Sequence, residues 1–185
     1  MQAKDIPNLI TVLRLFLTIP VVWALLVQDY GLALVLFAIA GFSDALDGFL
    51  ADHFGWRSRL GGLLDPLADK ALLVSGYLAL GWLGLIPLWL VSIVLLRDLV
   101  IVGGATAYHY RIAELEAEPR WMSKVNTFFQ VLLVLLVVLG QGYLMLPPWL
   151  LQATMLLVLV TTLLSGADYI WVWSRRASDR GLRPK

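Results

Sequence analysis

Residues 43–70, SDALDGFLADHFGWRSRLGGLLDPLADK, hold five aspartates, and four of them, Asp44, Asp47, Asp65 and Asp69, sit on or beside apolar spans. Asp44, Asp47, Gly48 and Ala51 are spaced i, i+3, i+4 and i+7, so a helix carries them on one face. Gly61, Asp65 and Asp69 are spaced i, i+4 and i+8 and also share a face if one helix runs through them. Pro66 allows a second arrangement, in which it opens the helix and Asp65 is the N-cap. In a membrane each ionised side chain costs about 2.5–3.5 kcal/mol on insertion scales, and neighbouring carboxylates repel. A divalent cation resolves both problems. Hard oxygen donors suit magnesium, manganese or calcium. With no cysteine, and with His53 and His109 away from the cluster, zinc is not expected. Two aspartate pairs on adjoining helices suit two ions, the arrangement that clamps the attacking and leaving oxygens of a phosphoryl displacement. Gly48, Ala51 and Gly61 remove bulk beside the acids and leave room for a ligand against the backbone. A single aspartate before a proline reads as a cap; four at this spacing read as a metal and phosphate site.

The elements that must position these acids are membrane helices. Of 185 residues, 60% are hydrophobic and 15% charged, against about 45–50% and about 25% in soluble domains. That excludes an ordinary soluble domain, and disorder more firmly. Six segments are apolar enough, or nearly so, to span a bilayer: 7–27, 32–51, 66–83, 88–108, 127–146 and 149–173. An all-α integral membrane domain over residues 1–173 is therefore expected, followed by a basic, frayed tail at 174–185. The apolar run near the start is too long for a signal-peptide core and has no small-residue cleavage site, so the first span is expected to be retained.

The connections alternate in charge. One side carries only Asp29, in the first turn. The other carries Lys4, Arg57, Arg59, Arg111, Arg120, Lys124, Arg175, Arg176, Arg180, Arg183 and Lys185. The positive-inside rule puts that side in the cytoplasm, with both termini and the acidic cluster, as in a bacterial inner membrane. Trp82, Trp89, Trp149, Trp171 and Trp173 lie near span ends, as interfacial belts do. A formal charge of +1 leaves no basic surplus for nucleic acid.

The cluster resembles the signature of the CDP-alcohol phosphotransferases, D-x2-D-G-x2-A-R-x8-G-x3-D-x3-D. Here it reads Asp44, Asp47, Gly48, Ala51, Gly61, Asp65 and Asp69, with Asp52 where the family has arginine. The resemblance implies a six-helix membrane fold, a homodimer and a cytoplasm-facing polar cavity. It implies transfer of a phosphatidyl group from a CDP-linked lipid to an alcohol, with release of CMP. By the family pattern Asp44, Asp47, Asp65 and Asp69 bind Mg2+ or Mn2+, two ions, and Asp69 is also the general base. Gly48, Ala51 and Gly61 make room for the cytidine and its phosphates. Asn8 and Thr11, on the first-span face that carries Arg14, are assigned to the donor nucleotide with them. Arg59 or Arg57 replaces the missing arginine by reaching back toward a phosphate. An alcohol holds its proton at neutral pH and needs a base within hydrogen-bond reach.

The likeness covers nearly the whole chain. Residues 123–130, SKVNTFFQ, look like the CDP-diacylglycerol-dependent (eukaryotic-type) cardiolipin synthases, whose acceptor is phosphatidylglycerol. The related phosphatidylglycerophosphate synthases, which use glycerol 3-phosphate, tend to carry a second lysine where Asn126 stands. A dianionic acceptor wants several cations; a monoanionic diester with two acyl chains wants fewer. Arg14, Arg97 and Lys124 are the candidate acceptor or phosphate ligands, since an arginine fork matches a phosphate. Arg97 sits beside Asp98, so a purely structural ion pair is the rival reading there. Asp168, in the last span, reads as a cap or dimer contact. A divalent-cation transporter is disfavoured because no acidic ladder crosses the membrane, and an inactive lipid-binding scaffold is raised only by Asp52.

Overall fold

The computed structural model describes residues 6–56, 59–111 and 121–181, with side chains undescribed for 6–7, 51–52, 59–63, 105–111 and 173–181. The described residues form six helices: α1 (Ile6–Leu26), α2 (Tyr30–His53), α3 (Arg59–Trp82), α4 (Leu88–Arg111), α5 (Trp121–Gly142) and α6 (Pro148–Gly181). Helices are what lipid demands, since every backbone polar group must be satisfied within the segment. Among the described residues four stretches are long and apolar enough to cross a membrane: Asn8–Leu26, Tyr30–Leu50, Trp121–Gly142 and Pro148–Val172. The chain is a multi-pass integral membrane protein. Phe16, Ile19, Phe42, Phe49, Leu96, Leu99 and Leu163 lie exposed on the helix surfaces, where a water-soluble protein would cover them. Trp82, Trp89, Trp149 and Trp171 are exposed near helix ends.

The chain divides into two compact units, Met1–Ile86 with Val134–Leu146, and Pro87–Leu133 with Pro147–Lys185. In the first, α1 packs on both α2 and α3. Its core is Val21, Ala24 and Leu25 of α1, Ala33 and Ala40 of α2, and Ala68, Tyr77 and Leu80 of α3. The small residues of α2 let the helix axes approach, as in membrane packing generally. A tight turn joins α1 to α2. Gln28 takes φ 60°, and Asp29 caps α2 by accepting a hydrogen bond from the Leu32 amide at 3.0 Å. The only charge on that side of the sequence is thus a helix cap. Gly55, at φ 67°, turns the chain after α2 in a conformation that costs glycine little.

In the second unit α4 packs on α6, with Leu90, Val91 and Val94 of α4, Leu133 of α5 and Val158 of α6 buried.

Three boundaries differ from the sequence expectation by more than a turn and a half, and one is the start of α5 at Trp121, ahead of the expected 127. Helix α3 begins at Arg59, so Pro66 lies inside it and Asp65 is not its N-cap. Proline cannot donate to the carbonyl four residues back, but the flanking turns carry the helix through. Helix α6 runs on to Gly181, eight residues past the expected end at 173. The added residues 174–180 include arginine and alanine, good helix formers that extend an existing helix without a new nucleus.

Candidate active site

The first unit gathers all four signature aspartates around one side chain of α1. Because α3 is continuous through Pro66, Asp65 and Asp69 lie one turn apart on the face it turns to α1; Asp44 and Asp47 do the same on α2. Arg14, 1% exposed, projects from α1 between them. Its Nη1 donates to Asp44 Oδ1 and to Asp69 Oδ1. Its Nη2 donates to Asp47 Oδ2 at 2.6 Å and stands 3.9 Å from Asp65 Oδ1. One turn before Arg14, the Thr11 hydroxyl lies 2.5 Å from Asp65 Oδ1 and 3.2 Å from Asp47 Oδ2. One hydroxyl proton serves one acceptor at a time, so these two bonds alternate. Asp47 is buried with Arg14, whereas the side chains of Asp44, Asp65 and Asp69 are 49%, 46% and 47% exposed. The cluster therefore has one closed wall, against α1, and an open side.

The donor set fits a hard divalent cation: four carboxylates from two helices meet one guanidinium, and formal charges of four minus and one plus leave three minus unbalanced. The bonds to α1 use one oxygen of each carboxylate and leave the second outside them. Among the described residues, no three acidic or histidine side chains stand in metal-ligand geometry with one another; they are arranged about Arg14 instead. Gly48 sits on α2 one residue after Asp47, and a Cβ built there would meet nothing within 4 Å. That open space beside the acids is where a ligand has room. The side chains of Ala51, Arg59 and Gly61 lie outside the described residues, as does Arg57 altogether.

The sequence pattern set Arg14 apart from the aspartates, with Arg97 and Lys124. The structure places it at their centre. The signal was available in the register of α1: Asn8, Thr11 and Arg14 recur every three residues and face the same way.

Arg97 belongs to the second unit. Its Nη1 donates to Asp98 Oδ1 at 2.7 Å, and its Nη2 to Ser123 Oγ at 2.7 Å and Ser165 Oγ at 2.5 Å. Asn126 is fully buried on α5 and its Oδ1 accepts from the hydroxyls of Thr161 and Thr162, each at 2.9 Å. Lys124 is exposed. The serine and threonine partners on α6 went unremarked in the sequence, because hydroxyls on an apolar helix give no periodic signal of their own.

The profile of the CDP-alcohol phosphatidyltransferase family matches residues 4–164, which span all of these side chains except Ser165. This chain belongs to that family of membrane transferases. Among curated relatives it is 35% identical over 145 residues to cardiolipin synthase (CMP-forming) of Rattus norvegicus, covering 70% of this chain and 48% of that one. It is 33% identical over 150 residues to the protein of the same name in Streptomyces coelicolor, covering 76% and 68%. It is 32% identical over 180 residues to a probable phosphatidylglycerophosphate synthase of Mycobacterium tuberculosis, covering 91% and 81%. The chain spans about half the length of the rat and human cardiolipin synthases it matches.

Proposed function

We propose that this protein transfers the phosphatidyl group of CDP-diacylglycerol to phosphatidylglycerol, forming cardiolipin and CMP. The acceptor hydroxyl oxygen bonds to the phosphatidyl phosphorus, the bond from that phosphorus to the CMP oxygen breaks, and the hydroxyl proton passes to a carboxylate. The observation that carries this reading is the convergence of Asp44, Asp47, Asp65 and Asp69 from two helices on one site. Those carboxylates are the residues that would hold Mg2+ or Mn2+, two ions, which when bound would offset charge on the diphosphate and the leaving group. Asp69 engages Arg14 through Oδ1. Its Oδ2 is the base we assign to the acceptor proton. Gly48 leaves space for the nucleotide, and Ala51, Gly61, Asn8 and Arg59 are assigned to it with Thr11, whose hydroxyl also braces Asp47 and Asp65.

Phosphatidylglycerol is favoured over glycerol 3-phosphate by the second unit. Among its described residues Arg97 is neutralised by Asp98, and the Asn126 carboxamide is held by two threonines. A dianion finds no surplus buried cation there. The rival acceptor has its own support, because the mycobacterial relative aligns over a larger share of both chains. We further assign six spans, both termini and the site to the cytoplasmic side, and a homodimer. Purified protein given CDP-diacylglycerol, manganese and either acceptor tests the reading, with products resolved by headgroup. Cardiolipin should form with phosphatidylglycerol. CMP release that needs glycerol 3-phosphate and ignores phosphatidylglycerol would replace this acceptor with the other.

A further inference from the structure

Building on the metal-dependent reading above, we propose that Arg14 is the resident counter-cation of the carboxylate cluster, and that divalent metal enters by exchanging with it. The guanidinium does not sit at the rim. It is 1% exposed and reaches all four carboxylates from a third helix. Its two terminal nitrogens divide them in a specific way. Nη1 joins Asp44 of α2 to Asp69 of α3, and Nη2 joins Asp47 of α2 to Asp65 of α3. Each nitrogen thus bridges the two helices. Among the described residues no three of these carboxylates stand in metal-ligand geometry with one another; they are arranged about the arginine.

Charge decides the direction of exchange. One guanidinium against four carboxylates leaves three negative charges, whereas two divalent ions bring four positive ones. An arginine and a metal pair inside the same ring of carboxylates would repel at close range in a weakly screened site. Arg14 stabilises the cluster against its own repulsion and yields when stronger cations arrive. Its Nε has no hydrogen-bond partner, so only one end of the guanidinium is fixed. Once released, the planar fork remains tethered to α1 beside the site, with the geometry that recognises a phosphate.

The test is Mn2+ binding to the full chain in lipid nanodiscs, read by the electron paramagnetic resonance signal of free Mn2+ at fixed pH and ionic strength. Removing the competing cation in Arg14→Gln should tighten binding by about tenfold or more, ~1.4 kcal/mol. The same variant should unfold at a lower temperature than wild type without metal and recover when Mn2+ is added, because a ligand bound only by the folded state stabilises it. Arg14→Lys keeps the charge but has one nitrogen to share among the carboxylates, so it should bind Mn2+ more tightly than wild type by a smaller factor. Equal or weaker binding in the variants, with wild type binding normally, overturns the exchange and leaves the metal reading standing. If wild type binds no Mn2+, the metal reading falls and the exchange with it. If Arg14→Gln cannot be isolated, Arg14→Lys decides by the same comparison.

Discussion

Two of the described arginines are buried among apolar helices, and their surroundings could hardly differ more. Arg97 meets one carboxylate and two serine hydroxyls; its charge is matched. Arg14 meets four carboxylates and leaves three negative charges over. A buried charge in a membrane is expensive wherever it stands, so burial alone does not separate a site from a strut. The imbalance does. A charge-matched network can hold helices together without a further cation, even with Arg97 Nε and Asn126 Nδ2 buried and lacking a hydrogen-bond partner. A cluster with surplus negative charge among the described residues attracts a further cation, and a half-exposed rim of Asp44, Asp65 and Asp69 lets one arrive.

This contrast can be broken by experiment. The largest effect belongs to the charged cluster. Asp69→Asn should lower CMP release by about 10²–10⁴-fold, the usual worth of a positioned base, and Asp44→Asn should also abolish most turnover. Thermal unfolding of either variant should occur no lower than in wild type, since one repelling carboxylate is gone. Unchanged turnover would defeat the catalytic assignment. Next comes the neutral network, where the pattern reverses. Arg97→Met removes the cation beside buried Asp98 and should cost about 3–5 kcal/mol of stability. Adding Asp98→Leu should restore most of it; a double variant no better than the single one would show that Arg97 contributes something other than pairing. A smaller effect is expected at Gly48→Leu. The open space there should keep stability within about 0.5 kcal/mol, while KM for CDP-diacylglycerol rises several-fold as the side chain fills the ligand's room. The smallest is Asp52→Arg, which restores the family residue and should leave CMP release within a few-fold of wild type. A collapse would show that Asp52 has a role of its own.

The acids were legible before any fold was known, because spacing on a helix converts directly into a shared face. Asp44 and Asp47 needed nothing more. Asp65 and Asp69 depended on whether Pro66 starts a helix or interrupts one, and local sequence supports both. Packing against α1 decided it, in favour of the longer helix. Arg14 was visible as an intramembrane charge, but its partners are 30 to 55 residues away, a distance across which periodicity carries no information. The same holds for Arg97. Its neighbour Asp98 is adjacent in sequence, while Ser165 lies 68 residues on. The end of α6 was placed short because basic residues mark the membrane boundary and say little about where a helix stops.

The tight turn at Gln28 and Asp29 has a consequence for how the chain enters a bilayer. It makes α1 and α2 a hairpin, with Arg14 on one arm and Asp44 and Asp47 on the other. Inserted singly, each arm would carry ionised groups into hydrocarbon, at about 2.5–3.5 kcal/mol apiece. Inserted together, the arms present an ion pair already closed, and only one negative charge remains to be met. Insertion of the two arms together would spare the first helix from entering hydrocarbon as a naked cation, so the residue that organises the finished site would also ease its delivery to the membrane.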